Sequence, residues 1–89
     1  MIDFIKISKI YGMDVVALIN ENIDEVKNNL IYLKDKGIIN FEDIFERFAV
    51  AFITDEDTFN KKVDLLINNL GVNYIDLLNE DTSLFEVVL

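Results

Sequence analysis

Apolar residues recur every three or four positions along most of the chain, in stretches that glycine separates and proline never interrupts. This period places the apolar side chains on one face of an α-helix, whereas a half-buried strand would alternate them. The longest stretches predict helices at residues 22–36, 41–53 and 56–70. We therefore expect an all-α fold, a single domain over residues 1–89 built as a small bundle of about five short helices or as a short helical-repeat array.

Signals for helix ends support these bounds. Side chains suited to N-caps precede the three helices, namely Asn22, Asn40 and either Thr54 or Asp55. Gly37 and Gly71 stand just after the first and third helices, where glycine readily adopts the left-handed conformation that ends a helix. The first two helices are expected to pack as a helical hairpin joined at Gly37.

The two ends of the chain leave helix and strand open. Both MIDFIKI and SLFEVVL are rich in β-branched residues, so a pair of terminal strands is the alternative to the helices that we favour. Between the ends, MDVVALIN predicts a short buried helix after Gly12, and Asn73 is placed to cap a further short helix, YIDLLNE. Asp81 or Thr82 is placed to cap the last segment.

The order of long helix, glycine and short helix occurs twice. Gly37 aligns with Gly71, 34 residues further on, and the apolar positions around the two glycines align with them. A period of this size is typical of helical-repeat proteins, in which neighbouring units stack because no unit buries its apolar face alone.

The aligned segments YLKDKGIINFEDIFERF and LLINNLGVNYIDLL, within residues 26–82, resemble the helical repeats of the mitochondrial transcription termination factor family. In those repeats a helix that ends in a leucine–small–Gly turn is followed by a short helix with an acidic start. The resemblance implies a stacked helical architecture. It carries over no nucleic-acid-binding residue, because the corresponding positions are not basic in this chain.

The chain contains no cysteine and no histidine. The missing cysteine excludes disulfides, thiolate nucleophiles and zinc–thiolate sites, and the missing histidine excludes the commonest general base and metal ligand. A carboxylate-based enzyme stays open only if two acids share a cleft. We expect no catalytic residue, no cofactor site and no metal site.

Charge and hydropathy narrow the choice of partner. The chain has 8 basic and 17 acidic residues, a net charge of −9, so we expect no direct contact with nucleic acid. Its longest apolar runs, such as residues 48–53, are far shorter than the roughly 18 residues of a membrane span. The interleaved Asp3, Lys6 and Lys9 differ from a signal peptide and favour a cytoplasmic location.

Apolar residues make up 52% of the chain, above the roughly 45–50% of ordinary soluble domains. A domain this small has a large surface for its volume, so we expect part of the apolar surface to lie against another protein. A homodimer is the favoured form, with an obligate partner as the other possibility. The predicted protein-interface residues are Phe48, Phe52 and Phe59, near the junction of the 41–53 and 56–70 helices.

Other polar features have ordinary structural explanations. The acidic run at residues 55–57 does not match a calcium loop, because Phe59, Asn60 and Leu66 would occupy positions that need a ligand, a glycine and a bidentate glutamate. An acidic helix start explains it fully. The acidic stretch 79–82 is expected to be a solvated turn, and the three tyrosines are expected to be half-buried edges of the core or of an interface.

These observations favour a non-enzymatic interaction or regulatory module that uses an apolar helical face with an acidic surround. The alternative is a small acidic inhibitor or immunity-type protein, which would block a basic nucleic-acid-binding site on a target enzyme by presenting carboxylates in place of phosphates.

Overall fold

The computed structural model describes residues 2–89, and Met1, the first residue of the MIDFIKI segment, lies outside them. Within these residues the chain forms six α-helices and two 3-10 helices, and no strand. The all-α prediction is therefore confirmed. The elements in chain order are α1 (Phe4–Tyr11), α2 (Met13–Glu21), α3 (Ile23–Asp35), α4 (Phe41–Arg47), the inner 3-10 helix (Ala49–Phe52), α5 (Glu56–Leu70), α6 (Tyr74–Glu80) and the terminal 3-10 helix (Thr82–Val88).

Helices α3 and α5 match the predicted bounds, but the predicted helix at 41–53 is wrong in its second half. The α-helix ends at Arg47, and Phe48 leaves helical geometry with φ −127° and ψ 41°. The Tyr11 hydroxyl lies at this break, where it donates to the Glu46 carbonyl at 2.7 Å and accepts from the Ala49 amide at 3.4 Å. Polar groups from other elements thus replace helical hydrogen bonds, which the amphipathic period cannot reveal.

Asparagine side chains do not cap the helices that they precede. Neither Asn22 nor Asn40 accepts a capping hydrogen bond. The Asn22 amide instead donates to the Leu18 carbonyl at 2.9 Å, closing the end of α2, and the Asn40 amide donates to the Leu78 carbonyl at 3.1 Å. The Asn73 side chain makes no capping hydrogen bond either. All three asparagines stand at the predicted N-cap positions, but the capping hydrogen bond itself is absent. For Asn22 and Asn40 the side-chain amide has another partner, which the local sequence does not show.

Carboxylates do cap helices, at both ends of the chain as well as at α5. Asp3 accepts from the Lys6 amide at 3.1 Å and Asp55 accepts from the Thr58 amide at 2.9 Å. Asp81 accepts from the Ser83 amide at 3.0 Å and begins the terminal 3-10 helix. Of the two interpretations of the terminal segments, helix is therefore correct and strand is not, over the described residues.

The two helix–glycine–helix units share a glycine of positive φ but differ in their hydrogen bonds, since the Gly71 amide donates to the Ile67 carbonyl in the ordinary helical pattern. Gly37 and Gly71 both have positive φ, 82° and 83°, and each follows a long helix. After α3, the Gly37 amide donates to the Lys34 carbonyl and the Ile38 amide donates to the Leu33 carbonyl, the pair of bonds of a Schellman turn. The turn packs closely, since a Cβ at Gly37 would lie 3.0 Å from Ile75 Cδ1.

The core lies between α3, α4, α5 and the terminal 3-10 helix. Phe52 is at its centre, with ring centroids 5.1 Å from Phe45, 4.9 Å from Phe59 and 5.7 Å from Phe85. These rings, together with the aliphatic side chains of α3, have almost no exposed surface. α3 packs against α4, as the predicted hairpin at Gly37 requires, and also against α5.

The structure gives one finding about membranes. Among the helices in residues 2–89, none combines the length and the apolar character that crossing a bilayer needs.

Candidate functional site

The structure buries the three phenylalanines predicted to form the interface. Phe52 and Phe59 have no exposed surface and Phe48 is 9% exposed. The terminal 3-10 helix folds back over the junction and places the Phe85 ring 6.0 Å from that of Phe48 and 6.3 Å from that of Phe59. In this conformation the three side chains are part of the core, and Phe48 keeps a small exposed fraction. The covering residue, Phe85, lies 26 positions beyond Phe59, so the sequence around the junction does not show this burial.

The surface feature best suited to a protein partner is an apolar groove between α5 and the terminal 3-10 helix. It has a volume of about 310 Å³. We call it the α5 groove, and its lining residues are Lys62, Leu65, Leu66, Asn69, Leu70, Leu84 and Val87.

The periods of the two helices explain how the groove forms. In α5, Phe59, Val63 and Leu66 face the core, and residues 62, 65 and 69 lie on the adjoining face one helical step away. The terminal 3-10 helix repeats every three residues, so Phe85 and Val88 face the core while Leu84 and Val87 line the groove.

Apolar side chains at the two edges of the groove are exposed to water. Leu65 on α5 is 62% exposed and Val87 on the terminal 3-10 helix is 71% exposed. Leu66, which is buried, and the half-buried Leu70 and Leu84 form the floor. A partner side chain that enters such a groove is shielded from water by the floor below it and by the apolar edges on both sides.

The charges around the α5 groove differ from the predicted acidic surround. Lys62 is the single charged residue in the lining, and Lys61 beside it is also exposed. Neither lysine is in an ion pair within residues 2–89, where the ion pairs are Lys6–Glu46 and Lys36–Asp64. Glu86 is exposed on the terminal 3-10 helix but is not part of the lining, because residues 83 and 86 share a face other than the one formed by Leu84 and Val87. The lining of the α5 groove therefore contains a basic side chain and no acidic one.

A second apolar recess lies at the other end of the molecule. It has a volume of about 620 Å³ and is lined by Ile2, Phe4, Asn20, Ile23 and Lys27. Its three apolar side chains are already half-buried, so a partner would cover less new apolar surface there than at Leu65 and Val87.

The carboxylates are spread over the surface rather than gathered in a deep cleft. Sixteen of the 17 are exposed, and the exception, Glu46, is half-buried. Two shallow depressions are lined by three carboxylates each, one by Asp3, Glu42 and Glu46 and the other by Glu21, Asp24 and Glu25. Within residues 2–89 no group of three possible ligands from His, Cys, Asp and Glu is arranged to hold a metal ion.

Two carboxyl groups have altered pKa values, and both are lowered. The backbone amide and hydroxyl of Thr58 donate to Asp55 and hold its pKa below the usual value. The hydroxyl and amide of Ser83 do the same to the pKa of Asp81. Donors that favour the charged form suit a helix cap, whereas a general acid near neutral pH needs a raised pKa. The carboxylate oxygens of Asp55 thus accept hydrogen bonds at the start of α5, as expected for an acidic helix start.

The three tyrosines are half-buried, as predicted, and each joins two elements of the fold. Tyr74 donates to the Lys36 carbonyl at 2.6 Å and so covers the end of α3. Tyr32 donates to Asp64, next to Lys36, which lies 5.0 Å from the Tyr32 ring centre. Burial and the hydrogen bond to Asp64 raise the pKa of Tyr32. These contacts connect α3 to α5 and α6.

Sequence analysis missed the residues that line the α5 groove, although a signal for them exists. Once the core positions of α5 are assigned, Leu65 is an apolar residue left on the outer face. Val87 is likewise an apolar residue outside the core positions, Phe85 and Val88, when a period of three is applied to the terminal segment. That the two lie on either side of one groove depends on the fold of the terminal segment, which local sequence does not specify.

Comparison with known proteins gives no family for the chain, because no family model, curated protein or solved structure matches it. The resemblance to the mitochondrial transcription termination factor repeats stays a prediction that rests on its two segments. Function is therefore argued from the chain's own residues.

Proposed function

We propose that this chain is a non-enzymatic protein–protein interaction or regulatory module that binds its partner through the α5 groove. The observation that carries the proposal is the pair of exposed apolar side chains, Leu65 and Val87, on either side of a leucine floor. Full burial of an aliphatic side chain of this size is worth about 1.5–3 kcal/mol, so covering the two edges supplies a substantial part of a binding free energy. We also propose that it acts in the cytoplasm.

A site-specific photocrosslinker tests the proposal. The crosslinking amino acid replaces Leu65 in cells that express the protein, and a matched variant carries it at Ile5, which is 71% exposed on α1. We expect a discrete crosslinked protein from position 65 and not from position 5. The absence of any product from position 65, or the same products from both positions, would contradict the proposal.

The acidic inhibitor is the second candidate. It is supported by the sixteen exposed carboxylates, of which one, Asp64, lies within ion-pair distance of a lysine. Unpaired carboxylates create a negative field that attracts a basic surface over roughly one Debye length, about 10 Å at 0.1 M salt.

Salt separates the two candidates. A complex built on carboxylates is expected to weaken steeply between low and high salt, whereas apolar contact in the α5 groove is expected to hold. The crosslinking yield at position 65 is measured in extracts at both salt concentrations. A yield that collapses at high salt would favour the acidic inhibitor.

A further inference from the structure

We propose that the terminal 3-10 helix is a detachable cover, and that the surface beneath it binds a segment of another protein that takes its place. The partner segment carries the pattern that the terminal 3-10 helix itself turns to the core, an aromatic residue followed three positions later by a β-branched one, as in Phe85 and Val88. The proposal goes beyond the α5 groove, because it concerns the surface that the helix covers.

Few polar contacts join the terminal 3-10 helix to the rest of the fold. Within the described residues, its backbone makes no hydrogen bond to another element and its side chains are in no ion pair. The Arg47 guanidinium donates to the hydroxyl of Thr82, the first residue of the helix, at 3.1 Å. Beyond Thr82 its contacts with other elements are therefore apolar.

The terminal 3-10 helix is also long for its type. It has seven residues, whereas such helices seldom exceed three or four because their hydrogen bonds are poorly aligned. Ordering seven residues costs conformational entropy, and the fully buried side chains that offset this cost are two, Phe85 and Val88. An element held in this way is expected to open before α3 and α5 do.

The surface beneath the terminal 3-10 helix is aromatic. The Phe85 ring is stacked on that of Phe52, with the ring centroids 5.7 Å apart. It also lies 6.0 Å from the Phe48 ring and 6.3 Å from the Phe59 ring. Opening uncovers part of these three rings, which are the residues that the sequence favours as an interface. Aromatic side chains are enriched in protein interfaces, and this surface already holds one in the closed chain.

Opening also removes one side of the α5 groove, because Leu84 and Val87 line it. A partner in the α5 groove and a segment that replaces the terminal 3-10 helix therefore cannot occupy one molecule together. Crosslinking from position 65 concerns the closed chain, so its failure would leave this proposal standing, and the tests below leave the α5 groove undecided.

Cysteine labelling tests the opening. The chain has no cysteine of its own, so Val88→Cys reports on the terminal 3-10 helix, and Val63→Cys, buried on α5, is the matched control. We expect a thiol reagent to modify position 88 at least about tenfold faster than position 63, with a weaker dependence on urea. Equal rates with the same urea dependence would show that the helix opens only when the whole fold does, and would overturn the proposal.

A synthetic peptide tests the surface. It has the sequence of residues 81–89, DTSLFEVVL, with a fluorescent label, and a control peptide has alanine in place of phenylalanine. In the full chain, Phe85→Ala weakens the cover. Fluorescence anisotropy is expected to show the peptide binding this variant at least about tenfold more tightly than the wild type, in which the intact cover competes. The control peptide is expected to bind neither chain.

No binding of the peptide to the Phe85→Ala chain, or equal binding of the two peptides, would overturn the proposal even if position 88 reacts quickly, because the end of the helix would then fray without uncovering a binding surface. Circular dichroism verifies that the variant keeps the wild-type helix content. If it does not, the comparison of positions 88 and 63 decides.

Discussion

Asn29 is the polar side chain that residues 2–89 bury completely. Its amide nitrogen donates to the carbonyls of Phe52 at 3.0 Å and Thr54 at 3.1 Å, and so fixes the chain that leaves the inner 3-10 helix. Its Oδ1 atom is also buried and has no hydrogen-bond partner within the described residues. The side chain therefore acts as a donor to two carbonyls that the broken helix leaves open.

Asn29→Asp keeps the shape of this side chain but removes its donors. We expect a loss of about 3 kcal/mol or more in the free energy of unfolding at neutral pH, because a buried charge would face two carbonyl oxygens. Part of the loss should be recovered below about pH 5, since burial favours the neutral carboxyl, which can donate one hydrogen bond. Urea denaturation at both pH values measures the change.

The control for this prediction is Asn68→Asp, the same substitution at an exposed position on α5. It is expected to change the free energy of unfolding by less than about 0.5 kcal/mol. Equal losses from the two variants would contradict the role assigned to Asn29.

The capping carboxylate of Asp55 predicts how the stability of the chain changes at acidic pH. Its pKa is lowered in the folded chain, so its stabilising contribution is complete above the unfolded value near 3.8 and is lost as the pH falls toward the folded value. Asp55→Asn keeps an oxygen that can accept from the Thr58 amide but does not titrate. We expect the stability difference between wild type and variant to shrink below pH 4, as followed by thermal melting. A difference that stays constant through this range would contradict the capping role of the charge.

At the scale of elements, two separate constraints favour glycine at position 37, the backbone conformation of the turn and the packing of Ile75 against it. Its φ of 82° disfavours a side chain, and a Cβ would lie 3.0 Å from Ile75 Cδ1. We expect Gly37→Ala to cost about 2 kcal/mol, of which about 1 kcal/mol is backbone strain. In an Ile75→Val background, which lacks Cδ1, the cost of Gly37→Ala should fall to about the backbone part.

A double-mutant cycle of unfolding free energies measures this coupling. The cycle uses the wild type, the two single variants and the double variant, so the intrinsic cost of Ile75→Val cancels. An additive cycle would mean that the close packing of the α3 turn against Ile75 does not limit residue 37.

The elements also show what the sequence can and cannot predict. Helices α3 and α5 were predictable because their apolar period, first-turn acids and terminal glycines act within one segment. The end of α4 at Arg47 was not predictable. It depends on the hydrogen bonds of the Tyr11 hydroxyl and on the fold of the residues after Arg47. The same limit explains Asn22 and Asn40, whose side-chain amides donate to carbonyls of α2 and α6 and do not cap α3 and α4.

At the scale of the whole molecule, the terminal 3-10 helix decides which apolar residues are core and which are surface. It brings Phe85 over Phe52 and Phe59, and it leaves Val87 and Leu65 on either side of the α5 groove. Composition predicted a surplus of apolar surface but not its place, and the period of α5 leaves Leu65 on the outer face without saying what lies beside it. The position of the groove needed the long-range contact between α5 and the last seven helical residues.

The central proposal is that this chain binds a protein partner through the α5 groove. Photocrosslinking from position 65, with position 5 on α1 as the matched control, tests it most directly. Both positions are exposed, so we expect a discrete crosslinked protein from position 65 and none from position 5. The same products from both positions, or no product from position 65, would contradict the proposal.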